Sequence, residues 1–397
     1  VLDEFGKNTL TTIRRDPYLL AKRVPGIGFQ TADKIALSLN LPAQARCLAL
    51  MEHSVREAAA ENGDCGKSKA EVVQAGMKIS GLEKRVVEEI LNGSLGQKNS
   101  DIVEENGVLW LKALMQAEEK IDNWIRESLQ KAGRDERPRS SAERQSTNAI
   151  NDDGSLPPQP SRRADTRGRV SLPNVSGLSP EQHAALTAIL VAPVSILTGG
   201  PGTGKTTLLK AVVQSTTDCV LCAPTGRAAK RLAEVTGHEA MTLHRLVLRK
   251  ENPLTANTLL IIDESSMADV AIMAELAQRC AKRLPRLLFV GDADQLPSVG
   301  AGQVFRDLIE SGKIPVHRLT KNFRTVGEGG GIIQAAAAVL RGKVPKPVPF
   351  NPSCDFCLIE TETAEEAAKT AVEFATQILP QLCGLDPLRD VQVLTPM

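Results

Sequence analysis

The residues GGPGTGKT, running from Gly199 to Thr206, form the most specific chemical pattern in the chain. They read G-x-x-x-x-G-K-T, directly after the apolar run VSILT and before TTLLKAVVQ, a strand–loop–helix context for binding phosphate. Glycines are needed there because backbone amides must wrap the phosphates, and a Cβ would stand in the way. The cradle is read as Gly200, Gly202, Thr203, Gly204, Lys205, Thr206 and Thr207. Within it Lys205 places a point charge on the β/γ-phosphates, Thr206 offers its hydroxyl to Mg2+, and the following helix adds its N-terminal dipole. A second pattern, TLLIIDESSM, is an apolar strand that ends in Asp263 and Glu264. Adjacent carboxylates at that place divide the work. Asp263 holds the metal, and Glu264 orients or deprotonates an attacking water. The pair favours hydrolysis of a nucleoside triphosphate over transfer to a small molecule. In the third pattern, LLFVGDADQLPSVGAG, Gln295 follows the end of a strand and can report the γ-phosphate to a neighbouring surface.

These residues need a scaffold that brings strand ends to one edge. From Leu178 onward the apolar runs VSILTG, DCVLCAPT, TLLIID and RLLFVGD alternate with helical segments, which calls for a parallel sheet with helices on both faces. Composition sets outer bounds. Charges balance at 48 Lys+Arg against 47 Asp+Glu, so attraction to nucleic acid has to come from local patches. At 3% aromatic residues, a base-stacking sheet rich in aromatics is excluded. No run reaches the roughly 18 apolar residues of a membrane helix, and VLDEFGKNTL lacks the basic and apolar regions of a signal peptide, so the chain reads as cytoplasmic. The eight cysteines include two C-x-x-C pairs, Cys219/Cys222 and Cys354/Cys357. Residues three apart on a strand point to opposite faces, so the first pair does not suit one zinc, and reduced thiols are expected.

The order GGPGTGKT, CAPTGRAAKRLAE, TLHRL, DESSM, GDADQLPSVGAG and LTKNFR resembles the superfamily 1 DNA helicases, specifically the RecD-like group. The resemblance covers residues 178 to about 345. It implies a RecA-like P-loop NTPase motor domain that uses ATP and Mg2+ to translocate on single-stranded DNA, 5′→3′, acting at duplex junctions. In LSPEQHAAL it puts Gln182 on the adenine. In APTGR it makes Pro224, Thr225 and Arg227 single-strand contacts, and in TLHRL it adds Thr242 and His244; packing or capping is the other reading of that histidine. Arg324 of NFR corresponds to an arginine that reaches the γ-phosphate. Upstream, LLAKRVPGIGFQTADKIALSL resembles a helix–hairpin–helix in which Gly26 and Gly28 approach a DNA phosphate. The same glycines also read as a tight turn between packing helices.

The expected architecture is α/β, with a small α-helical, winged-helix-like region ahead of the motor. Residues 1–45 form the helix–hairpin–helix region and 46–133 a helical unit in which Trp110 and Trp124 are core residues. Residues 134–177, rich in Ser, Pro, Arg and Asn, form a disordered tether. Residues 178–318 make the first motor domain with the ATP site. Residues 319–397 begin a second motor domain that lacks motifs V and VI, and both chain ends read as cut. Two other functions stay open: a DNA-binding module switched by ATP without motor activity, and the helicase part of a conjugative relaxase. The second would need a His cluster and an upstream nucleophilic Tyr, whereas the chain has one tyrosine, Tyr18.

Overall fold

The computed structural model describes residues 2–24, 26–95, 97, 100–135, 177–321, 323 and 330–395. Residues 136–176 of the expected tether and Arg324 lie outside the described residues. Two compact units are present: Val1–Gly200 with Gly204–Thr320, and Pro201–Thr203 with Lys321–Met397.

The first unit begins with helices α1 (Leu2–Phe5), α2 (Thr9–Arg15), α3 (Tyr18–Arg23), α4 (Phe29–Ser38) and α5 (Ala43–Glu57). Tyr18 donates its hydroxyl to Asp33 at 2.7 Å, and Arg46 holds the same carboxylate with two hydrogen bonds. Burial of the phenol and its bond to Asp33 push the Tyr18 pKa upward. Strand β1 (Gly66–Ser68), helices α6 (Lys69–Ser80) and α7 (Lys84–Leu95), and strands β2 (Ile102–Glu105) and β3 (Val108–Leu111) follow. The β2–β3 turn is Asn106-Gly107, with both φ angles positive at 53° and 77°. Such a turn matches the twist of an antiparallel pair. Met51, Val72, Val87, Leu91 and Leu109 form the core of this part.

Helix α8 (Lys112–Asp135) departs from the expected division of the chain. Its Ala117, Ile121, Trp124 and Ile125 share one hydrophobic cluster with Val270 and Phe289 of the motor. Trp124 meets Phe289 edge-on, with ring centroids 6.2 Å apart. Although 46–133 reads as one unit ahead of the motor, α8 packs on the motor sheet. The apolar stripe along α8 is plain in the sequence, but its partner is far away in the chain and leaves no local signal.

The motor sheet contains β4 (Val194–Gly199), β5 (Cys219–Ala223), β6 (Ala240–Thr242), β7 (Leu259–Ile262), β8 (Arg286–Gly291) and β9 (Val316–Leu319). Their order is β6-β5-β7-β8-β4-β9, and every pair is parallel. Both faces are covered, so the strands read as unbroken apolar runs. Leu197, Leu221, Ile261 and Leu288 point to one face, against α9 (Pro180–Val191), α10 (Lys205–Gln214) and α11 (Gly226–Thr236). Ile196, Cys222, Ile262 and Phe289 point to the other, where α12 (Leu243–Leu248), α13 (Val270–Cys280) and α14 (Val304–Glu310) join α8. Cys222 sits in the second cluster while Cys219 packs against the first, as residues three apart on a strand must.

In the second unit Phe323 donates its amide to Gly202 at 2.9 Å. The unit also holds α15 (Gly331–Leu340), α16 (Ala364–Glu373) and α17 (Leu379–Cys383). Among the described residues no helix is long and apolar enough to cross a membrane.

Candidate functional site

Parallel pairing puts the carboxyl ends of all six motor strands on one edge of the sheet. Register aligns them closely: Thr198 faces Gly291, Gly199 faces Leu319, and Ile262 lies between Cys222 and Phe289. In an open sheet of this kind, the crevice outside those ends is where ligands bind. The phosphate loop, the carboxylate pair and the Gln295 loop all leave the sheet there.

The loop from Gly199 to Lys205 has a backbone that only its glycines make easy. Gly202 and Gly204 have φ of 80° and 84°, a left-handed region closed to most side chains. A Cβ at Gly200 would meet nothing within 4 Å, so side-chain space does not restrict that position. Gly204 caps α10 without a side-chain bond, leaving the first-turn amides for an anion. The Lys205 ammonium donates to the carbonyls of Gly199 and Gly200. Thr203 is buried, Thr206 half-buried and Thr207 exposed.

Gln182 has an immediate structural duty on this edge. Its Oε1 accepts the Ser179 amide at 2.9 Å, completing a capping box that starts α9. Its Nε2 donates to the Gly204 carbonyl at 3.4 Å. The side chain assigned to adenine by resemblance thus ties the α9 start to the phosphate loop in this structure.

Asp263 accepts the Glu264 amide at 3.0 Å. Burial and then the Glu264 charge push its carboxyl up to about 6, against the opposing pull of that amide, Lys205 and Arg231. Arg231 escapes a reading by motif, although APTGRAAKR places it one helical turn beyond Arg227. Glu264 itself has φ of 51°. A non-glycine residue costs about 1–2 kcal/mol there, the kind of strain concentrated at functional sites. It turns the chain as β7 ends, into the short helical turn Ser265–Met267. Just past the end of β8, buried Asp292 accepts the Asp294 amide at 3.1 Å and the Gln295 side-chain amide at 3.4 Å. Gln295 is exposed, and Asp292 rather than the sheet orients it.

The residues read as DNA contacts start the next helices along the edge. Thr225 caps α11 by accepting the Ala228 amide, and Thr242 caps α12 by accepting that of Arg245. These bonds leave Arg227 and His244 exposed in the first turns, while Pro224 is half-buried. Far upstream, Gly26 has φ of 84° and Gly28 caps α4, both exposed beside a hollow lined by Lys22 and Arg23.

The donor set fits a triphosphate with a hard divalent cation: loop amides and one ammonium for phosphate, with hydroxyl and carboxylate oxygens from Thr206 and Asp263 for Mg2+. The sheet order and the loop together define a RecA-like P-loop nucleotide-binding domain.

Residues 177–350 match the family described as AAA domain, and residues 1–66 match the ATP-dependent RecD2 DNA helicase HHH domain. The ATP-dependent RecD2 DNA helicase of Deinococcus radiodurans is 32% identical over 365 residues, which cover 86% of this chain and 47% of that one. The RecBCD enzyme subunit RecD of Mycobacterium tuberculosis is 35% identical over 216 residues, covering 44% of this chain and 37% of that protein. The chain is thus similar to RecD-like proteins, and its first 66 residues to the helix–hairpin–helix domain of the RecD2 form. It spans about half the length of the first of these relatives.

The raised Asp263 carboxyl has a testable sign. Between its usual value of 3.8 and about 6, the folded protein keeps a proton that the unfolded chain has released. Stability therefore falls as pH rises through that window and stays lower above it. Asp263→Asn keeps an oxygen for the Glu264 amide and removes the charge. Without nucleotide, the variant should be more stable than wild type by about 1–2 kcal/mol near pH 7.5 and lose most of that advantage near pH 4. Thermal unfolding at the two pH values measures this, and an unchanged melting difference would refute the desolvated charge.

Proposed function

We propose that this chain is the nucleotide-hydrolysing and single-strand-gripping part of an ATP-dependent DNA helicase that moves 5′→3′ toward duplex junctions. The observation that carries this reading is one shared edge. Lys205, Asp263, Glu264 and Gln295 stand there beside the capped first turns of α11 and α12, which present Arg227 and His244.

The loop amides and Lys205 hold the β/γ-phosphates of ATP. Thr206 and Asp263 hold Mg2+, which when bound neutralises phosphate charge. Glu264 takes a proton from the attacking water on its carboxylate. Gln295, oriented by Asp292, senses the γ-phosphate, and Arg324 adds positive charge as the resemblance implies. Pro224, Thr225, Arg227, Thr242 and His244 follow the strand's backbone, with Gly26 and Gly28 a second contact upstream.

The intact protein should hydrolyse ATP faster with single-stranded DNA present and displace a strand from 5′-tailed partial duplexes. DNA-stimulated hydrolysis without displacement from either tail would instead support an ATP-switched binding module. Within the same reading, Arg227→Ala should weaken single-strand binding about 5–10-fold whatever the base sequence and lower the salt slope by about 1. Titrations at several salt concentrations check this. A loss confined to one base sequence would mean that Arg227 reads bases instead of phosphate.

A further inference from the structure

The loop carrying Gln295 is fastened at both ends and free at its tip. Asp292 anchors the start, while Leu296 and Val299 near the tip are 87% and 94% exposed. At the far end the Ser298 hydroxyl lies 2.9 Å from the carbonyls of both Gly300 and Gly302. The Val270 amide donates to Ala301 at 2.9 Å. The last fastening comes from outside the motor: Gly302 donates its amide to the carbonyl of Gly63 at 2.8 Å.

Neither partner has much freedom. Gly302 has φ of 89°, and a Cβ there would fall 2.1 Å from Val270 and 3.2 Å from the Cys65 sulfur. Gly63 ends the helical segment Ala58–Asn62 in the left-handed region, with φ of 72°. That turn aims its carbonyl at Gly302, and a Cβ on it would meet only the Gly300 carbonyl, at 3.9 Å. Space does not demand glycine at 63; the backbone conformation demands a residue that enters the left-handed region readily, as Asn40 and Asn106 do elsewhere in the chain. Cys65, two residues on, is buried in the motor's own hydrophobic cluster and holds the turn against it.

We infer that Gly63, in the N-terminal region, is a positioning residue for nucleotide turnover, because its left-handed turn buttresses the loop that presents Gln295. This rests on Gln295 as the γ-phosphate sensor. Without the buttress the loop keeps its Asp292 anchor but loses a fixed far end, so Gln295 spends less time in one place. Nucleotide affinity, set by the phosphate loop, should not follow.

The test compares Gly63→Val with Gly63→Asn in the intact protein. Valine resists the left-handed region, whereas asparagine enters it at low cost. Gly63→Val should lower kcat for ATP about tenfold, as misplacement of a catalytic group does, with KM within about twofold. Amide exchange should speed up in residues 296–305 while the sheet strands stay protected. Gly63→Asn should match wild type in both measurements. Equal loss in both variants, a parallel rise in KM, or unchanged exchange at 296–305 in the valine variant would each overturn the positioning role. The exchange measurement does not depend on hydrolysis. A wild-type protein without ATPase activity would therefore sink the nucleotide reading, with the buttress still measurable.

Discussion

Lys205→Ala should reduce ATP turnover by about 10³-fold or more. Its ammonium is the only side-chain charge the phosphate loop itself contributes, and it sits on the carbonyls of Gly199 and Gly200 at the loop's base. The loop amides remain in the variant, because Gly202 and Gly204 take their φ values from the backbone and not from the lysine. Nucleotide binding should thus weaken while the fold persists. Losing two bonds between a half-exposed lysine and backbone changes stability little, so the melting temperature should stay within a few degrees. Single-strand binding without nucleotide should hold within a few-fold, since Arg227 and His244 start other helices. Steady-state ATPase assays beside a strand-binding titration check both halves. Unchanged turnover would overturn the phosphate-loop assignment, and loss of strand binding would show that the nucleotide and strand contacts are not separable.

Glu264→Gln should cost about 10²–10⁴ in turnover, the range expected when a general base is removed. The substitution preserves shape and leaves the Glu264 amide bonded to Asp263. ATP and Mg2+ should still bind within a few-fold, and the nucleotide-bound state should accumulate. A catalytic role has to be separated from the structural one implied by φ of 51°. Glu264→Gly supplies the separation. Glycine relieves about 1–2 kcal/mol of left-handed strain, partly offset by the greater freedom of its unfolded chain. That variant should fold at least as well as Glu264→Gln and turn over ATP as slowly. If glycine restored turnover, Glu264 would act through the turn and not through its carboxylate. Rapid-quench measurement of a single turnover distinguishes slow chemistry from slow product release.

Much of the site is legible in the sequence, because its parts are local. A phosphate loop needs glycines at fixed spacing between a strand and a helix, and GGPGTGKT supplies them within eight residues. The carboxylates stand at the end of TLLII, so the run that makes the strand also places Asp263 at its carboxyl end. Alternation within the apolar runs was likewise enough to send Cys219 and Cys222 to opposite faces.

Other features depend on partners distant in the chain. The stripe Ala117, Ile121, Trp124 and Ile125 announces an apolar face, but only the folded sheet shows that Phe289 and Val270 cover it. Resemblance sends Gln182 toward a ligand, while the structure engages both ends of its carboxamide with Ser179 and Gly204. The left-handed turn at Glu264 has no glycine to announce it, and Arg231 acts on Asp263 from a different element. Gly63 and Gly302 are ordinary glycines until a hydrogen bond joins them across more than half the chain. Periodicity and loop chemistry are set by neighbours within a few residues, so the sequence alone determined the phosphate loop and the strand faces. Which faces meet, and which charges share a desolvated space, depends on where the whole chain closes on itself. The shifted Asp263, the docking of α8 and the fastening of the Gln295 loop were therefore decided by tertiary structure.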